Sequence, residues 1–247
     1  MKNIRTILFP FLFYSILFAE TTLVVNGKTI KTSSDYIIIN GDTIIIDGKS
    51  ISTKSKSVKE QADIVDRKLT DFDHLQLDLR ANVTITAGEK LECTIKAENR
   101  ISPLILTECS GNTLRIYSKE YYSTSKKIYI NIKTPFLNKV NLRGSGNINI
   151  LGIANKKLEL TIKGSGDINA SGSTEVLTVN VKGSGDINAN NINASKVIVT
   201  ISGSGDANIS VKDELIAKIK GSGDIKYKGS PPKLQISIKG SGDISSQ

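Results

Sequence analysis

Between residue 140 and the C-terminal end, apolar and polar residues alternate in a set of stretches that can be laid over one another. One column reads Leu142, Ile162, Val181, Ile201, Ile219 and Ile238. Two residues earlier stand Val140, Leu160, Val179, Val199, Ala217 and Ile236. Two earlier again, from the second copy on, stand Leu158, Leu177, Val197, Leu215 and Leu234. The residues between them are mostly polar, for example Glu159, Thr161, Thr178, Asn180, Lys218 and Ser237. Alternation with period two marks a strand with one buried face. Ile198 and Ile216 have the outward parity and are expected outside.

Each stretch runs into Gly-Ser-Gly followed by Asp or Asn, and then another apolar column: Ile148, Ile168, Ile187, Ala207, Ile225 and Ile244. The corner glycines are the pairs Gly144 and Gly146, Gly164 and Gly166, Gly183 and Gly185, Gly203 and Gly205, Gly221 and Gly223, and Gly240 and Gly242. Their starts are 20, 19, 20, 18 and 19 residues apart. A fixed period of this size is the signature of stacked repeats. The prediction is an all-β fold: a parallel β-helix (β-solenoid) with about 19-residue rungs, taken as right-handed. Each rung supplies two strands around a glycine corner. Six rungs at about 4.8 Å make a rod on the order of 25–30 Å long. The variation in period falls between the Asp and the next rung's strand, so a variable loop is expected there. Pro231 and Pro232 lie in it, where no ladder donor is needed.

Ahead of the repeats the pattern changes. Residues 1–19 read as a signal peptide, with Lys2 and Arg5 before an apolar run and Ala19 at the expected cut. Residues 20–52 carry β-branched runs separated by Asn26-Gly27, Asn40-Gly41 and Asp47-Gly48, which predict a β-hairpin arm. Residues 53–62 are Lys/Ser-rich and read as a linker. Residues 63–142 are expected to form the first, irregular rungs of one domain spanning 63–247, with regular rungs over 143–247. Ser110-Gly111-Asn112, followed by Leu114 and Ile116, reads as a worn copy of the corner.

Charge adds a limited amount. The net formal charge is +9, and loss of residues 1–19 leaves +7. Aromatic residues are 5% of the chain and Trp is absent, so base stacking is poorly provided for. No nucleic-acid partner is expected. No transmembrane span is expected after signal cleavage, since the apolar run in 1–19 is short for a bilayer.

Catalytic patterns are not recognised. His74 is the single histidine and is expected as a strand surface residue. Gly-Ser-Gly-Asp has neither the Lys nor the helix of a phosphate loop. No cofactor is expected. Cys93 and Cys109 are the only cysteines, read either as a disulfide favoured by export or as two free thiols. The Asp column Asp167, Asp186, Asp206, Asp224 and Asp243 is the best candidate site. It reads first as a ladder of backbone staples, each carboxylate serving its own corner, and second as a calcium ladder. A basic column, Arg143, Lys163, Lys182, Lys220 and Lys239, precedes the corner.

These repeats resemble the head GIN domain of autotransporter adhesins, a bacterial exported β-helical family. The resemblance runs from about Arg67 to Ile244. It includes Leu69-Thr70-Asp71-Phe72 where the domain begins and Tyr227-Lys228-Gly229-Ser230-Pro231 before the last rung. The stretch from Asn40-Gly41 to Asp47-Gly48 is similar to segments that precede such domains. The resemblance implies a β-helix with an adhesive or structural role at the cell envelope. Self-anchoring in an outer membrane is not expected, since neither barrel strands nor a coiled-coil stalk are seen. The expected function is therefore an exported, non-catalytic, adhesin-like binding or structural protein, located in the periplasm, at the cell surface or outside the cell. Envelope glycans and surface proteins are the candidate partners, and a homo-oligomer is compatible with the sequence. The alternatives are a polysaccharide-acting β-helix enzyme and a calcium-binding repeat protein.

Overall fold

The computed structural model describes residues 21–25, 28–32, 37–40, 43–46, 49–52 and 62–247. They belong to two units, residues 1–61 and 62–247. The expected signal peptide and nearly all of the expected linker lie outside the described residues.

In the first unit, β1 (Thr21–Val25) pairs antiparallel with β2 (Lys28–Thr32), Val25 standing opposite Lys28. β3 (Ile37–Asn40), β4 (Thr43–Ile46) and β5 (Lys49–Ser52) form an antiparallel meander. The two-residue gaps at Asn26-Gly27 and Asp47-Gly48 are where Asn-Gly and Asp-Gly favour hairpin turns.

The second unit is a parallel β-solenoid. Its strands in chain order are β6 (Ala62–Asp66), β7 (His74–Leu77), β8 (Asn82–Ala87), β9 (Glu92–Glu98), β10 (Ile105–Ser110), β11 (Thr113–Ser118) and β12 (Tyr129–Thr134). Then follow β13 (Lys139–Gly144), β14 (Asn147–Gly164), β15 (Ile168–Val181), β16 (Ile187–Ile201), β17 (Ala207–Ser210), β18 (Glu214–Gly221), β19 (Ile225–Lys228), β20 (Lys233–Gly240) and β21 (Ile244–Ser246). From β13 onward, strands pair in parallel in the register the repeat demands: Leu142 with Ile162, Val181 with Ile201, Ile219 with Ile238. The apolar columns become the core. Leu160, Val179, Val199 and Ala217 are all fully buried, and burying a branched side chain contributes about 1.5–3 kcal/mol. Ile198 and Ile216 face outward, in register with each other and half-buried.

Three details differ from the expectation. First, the segment absorbing the length variation is strand rather than loop in the early rungs. β14, β15 and β16 each run without a break from one corner to the next, and the register shifts between Ile150 and Ile153 and again between Asn169 and Ser171. An extra residue bulges out of an otherwise continuous ladder, and Gly152, with φ 72°, sits at the first of these shifts.

Second, Ser110-Gly111-Asn112 is not a rung corner. It turns the antiparallel hairpin of β10 and β11, with Ser110 opposite Thr113 and Gly111 at φ 54°. The corner of the first rung is Asp78–Ala81, between β7 and β8. This rung lies under β13 and β14, with Leu77 opposite Leu142 and Val83 opposite Ile148.

Third, stacking order departs from chain order. β11 pairs in parallel with β7, and β12 with β8. The rung of residues 74–87 is thus sandwiched between residues 113–134 below and residues 139–151 above. Below that, β10 covers β11 and β9 covers β12, both antiparallel, and β6 covers β9. A parallel stack needs its exposed edge managed, and here antiparallel strands close it. At the opposite end, β20 pairs with β18 alone. Its inward-parity residues Leu234, Ile236 and Ile238 are 49%, 43% and 42% exposed.

Candidate functional site

The corner explains its glycines by contact more than by dihedral. At Gly166 a Cβ would overlap the carbonyl oxygen of Gly146, and the same overlap recurs at Gly185 with Gly166, Gly205 with Gly185, Gly223 with Gly205 and Gly242 with Gly223. From Gly166 on, the second glycine of each corner packs directly on its counterpart one rung below, leaving no room for a side chain. The first glycine does the same from Gly164 on, and at Gly144 (φ 121°) and Gly240 (φ 141°) the backbone also favours glycine. The Ser and second Gly N–H groups donate to the preceding rung's first glycine, as from Ser184 and Gly185 to Gly164 at 3.0 and 3.2 Å.

The next residue is the Asp. In a regular parallel ladder its N–H would meet the carbonyl of the second glycine below, but that carbonyl is packed against the glycine above it. The Asp N–H bonds instead to the carboxylate of the Asp one rung below. Asp186 donates to Asp167 Oδ1 at 3.1 Å, Asp206 to Asp186 at 2.8 Å, Asp224 to Asp206 at 2.8 Å and Asp243 to Asp224 at 2.9 Å. Asn147 serves Asp167 in the same way at 3.4 Å. The column is a staple, but from rung to rung; the expectation that each carboxylate serves its own corner is corrected. The column's charges are exposed or half-exposed. Among the described residues, no three His, Cys, Asp or Glu side chains are grouped to hold a metal.

On the other side of the Gly-Ser-Gly ridge, Arg143, Lys163, Lys182, Lys220 and Lys239 project outward and are exposed. Ion pairs form elsewhere on the long strands, Lys139 with Glu159 and Lys196 with Glu214, each at 3.0 Å. His74 lies half-buried on the outer face of β7, its Nε2 3.7 Å from the Asp73 carboxylate, which also accepts from Asn138 Nδ2 at 2.8 Å. It borders a shallow groove with Lys139, Lys157, Glu159 and Thr178.

Cys93 and Cys109 are free thiols in the structure, not a disulfide. Their strands are not partners: Cys93 on β9 faces Ile132, and Cys109 on β10 faces Leu114. Cys93 is 2% exposed, and burial pushes its thiol up to about 12, opposed by the nearby Arg67 guanidinium. The Cys109 thiol is half-buried and donates to the Thr70 carbonyl at 3.8 Å.

The second strand of each rung builds an outer face that the repeat alone only half reveals. Two residues beyond the Asp position stand Asn149, Asn169, Asn188 and Asn208, in register across β14 to β17. The same row continues through Thr84 on β8 to Asn131 on β12. Beside it runs the row Tyr129, Asn82, Asn147 and then the Asp column. The Asp-Ile-Asn spacing exposes the first part in the sequence. The β12 and β8 residues join it only through the inverted stacking order.

These corners, repeated around a solenoid of this kind, match a known profile: residues 71–231 fit the family described as "putative auto-transporter adhesin, head GIN domain". The chain belongs to this family. Among solved structures, the head GIN domain is similar to a "putative adhesin" from Bacteroides fragilis, with 26% identity, a TM-score of 0.65, and coverage of 76% of this chain and 98% of that one. A "putative lipid binding protein" from Parabacteroides distasonis has 23% identity and a TM-score of 0.47, covering 76% and 97%. A "putative adhesin" from Parabacteroides merdae has 19% identity and a TM-score of 0.46, covering 76% and 96%. A search of curated proteins finds no match. Among the described residues, no helix is long and apolar enough to cross a membrane.

Proposed function

We propose that this head GIN protein is an exported, non-catalytic binding protein of the bacterial cell envelope, acting as an adhesin. The observation that carries this reading is the outer surface of the solenoid. Its side chains stand in straight rows at rung spacing, so the rod offers an extended, regular surface to a partner. The acidic residues follow the same logic: they lie in one column, each tied to the backbone of the next rung, rather than as an acid and a base facing across a cleft as glycoside hydrolysis requires. Family membership supports the adhesive role, and the sequence of residues 1–19 supports export.

Two measurements test it. Fractionation of cells producing the full-length chain should find the mature protein outside the cytoplasm, and purified protein should bind isolated envelopes saturably. Incubation with acidic and neutral polysaccharides should release no new reducing ends. Turnover that co-purifies with the protein and is lost on substituting a column Asp would overturn the non-catalytic reading.

A further inference from the structure

The strands β12, β8 and β14 lie side by side, and their outward positions form a block of two rows by three strands. One row is Tyr129, Asn82 and Asn147; the other is Asn131, Thr84 and Asn149. None of the six is charged, in a chain where 23% of residues are. The block is bounded by Lys96, opposite Tyr129 on β9, by Lys133, the next outward residue on β12 and paired with Glu92, and by Asp167 on the next rung. Tyr129 is 44% exposed, and Asn131, Asn147 and Asn149 are exposed. Apart from Asn147 Oδ1, which takes the Asp167 N–H, the polar side-chain groups of the block have no hydrogen-bond partner among the described residues. The second row continues as Asn169, Asn188 and Asn208, six strands in all, or on the order of 25 Å at strand spacing.

We propose that this face is a binding site for an uncharged glycan chain lying across the strands, with a sugar ring stacked on Tyr129 and the Asn row contacting successive sugars. The inference rests on the adhesive reading above and adds the place and the ligand class. Three physical points select it. A carboxamide offers two donors and an acceptor together, the complement of neighbouring hydroxyls on a sugar, and a phenol ring supplies a broad apolar face with a polar tip. Repetition at rung spacing suits a linear polymer of similar residues. The absence of charge in the block, with the Asp column running directly beside its continuation, favours a neutral chain over a polyanion. A protein partner is less well served: a specific protein interface covers about 800 Å² on each side around an apolar centre, and this face is a narrow polar band with one aromatic ring.

The test is affinity electrophoresis and calorimetry of the full chain against soluble neutral polysaccharides (a β-glucan, a mannan and a galactan) and against a uronic-acid polymer. The wild type is expected to bind at least one neutral chain and to bind the uronic-acid polymer weakly. Tyr129→Ala and Asn149→Asp should each weaken binding at least tenfold. Tyr129→Phe should retain it, and Thr200→Ala, on another face, should leave it unchanged. All three positions face outward, so melting temperatures near wild type are expected for the four variants and serve as the folding control. Binding to a neutral chain that Tyr129→Ala and Asn149→Asp leave intact overturns the site. Binding restricted to the uronic-acid polymer overturns the ligand class. Saturable binding to envelopes with no response to any neutral polysaccharide overturns this inference while leaving the adhesive reading standing.

Discussion

The carboxylate of Asp186 accepts a hydrogen bond from the backbone N–H of Asp206, one rung above, at 2.8 Å. Each such bond fills a gap left where the glycine corner takes a carbonyl out of the ladder. Asp186→Ala removes that acceptor and should cost about 1 kcal/mol, water replacing it at this exposed position. Asp186→Asn keeps an oxygen and also relieves repulsion along a column of like charges, worth about 1 kcal/mol per neighbour in water. It should melt at or slightly above wild type. The check is thermal unfolding of the three proteins in chelator and in millimolar calcium. A calcium-dependent rise that both variants abolish would favour a calcium ladder over a staple.

The glycines of the corner predict a sharper effect. In Gly185→Ala the new Cβ must displace the carbonyl of Gly166, so two rungs are forced apart. A loss of about 1–3 kcal/mol or more is expected from overpacking alone. Gly111 is the contrast: its φ is 54°, and an added Cβ meets no atom within 4 Å. Gly111→Asn should be nearly neutral, since Asn tolerates the left-handed region. Denaturant midpoints in the opposite order would show that the corners are looser than the geometry implies.

Ile201 tests the core. It is fully buried, in register with Val181 below and Ile219 above. Ile201→Asp places an unpaired carboxylate there and should cost several kcal/mol. Ser237, with outward parity on the exposed β20, should accept Asp with little change. Equal melting temperatures would falsify the assignment of faces.

How much of this could be read in advance depends on whether a contact is local to the repeat. The columns from Leu142 to Ile238 predicted inward faces because one rung's geometry is copied into the next, and a one-residue error would flip every side chain. The route of the Asp bond was missed for a physical reason. Ser and Asp near a turn most often bond within it, and only the packing of Gly166 on Gly146 shows that the free N–H belongs to the rung above. The inverted order of residues 74–87 and 113–134 had no repeat to announce it. Asp78-Leu79-Arg80-Ala81 takes the corner's place without a glycine, and long-range pairing such as Leu75 with Leu114 leaves no trace at short sequence distance. Asn131 joined the Asn row, and Tyr129 the row beside it, for the same hidden reason.

The burial of Cys93 has a consequence that titration can read. Cys93 has its pKa raised from 9.0 to about 12 by burial, so the folded state holds its proton more tightly than the unfolded chain does. The associated stability is fully present below pH 9.0 and is lost as pH rises from there toward about 12. Denaturant midpoints should therefore fall through this window, and Cys93→Ala should fall less steeply from a lower starting point. At mildly alkaline pH a thiol reagent should modify Cys109 first and reach Cys93 only on unfolding. Rapid labelling of Cys93 in the native protein would contradict its burial.

The interchangeable corners also make the rod a ruler whose length is open to change. Excising Gly183–Ser202, a block of 20 residues, joins Lys182 to Gly203 and leaves every inward column in phase. Asp206 would then take up the acceptor that Asp186 now uses on Asp167. Because each repeat touches only its neighbours, such a shortened chain should still fold, having lost one rung's share of stability and one rung's height. Gain or loss of whole rungs thus offers a lineage a way to adjust how far this protein reaches without redesigning any surface it carries.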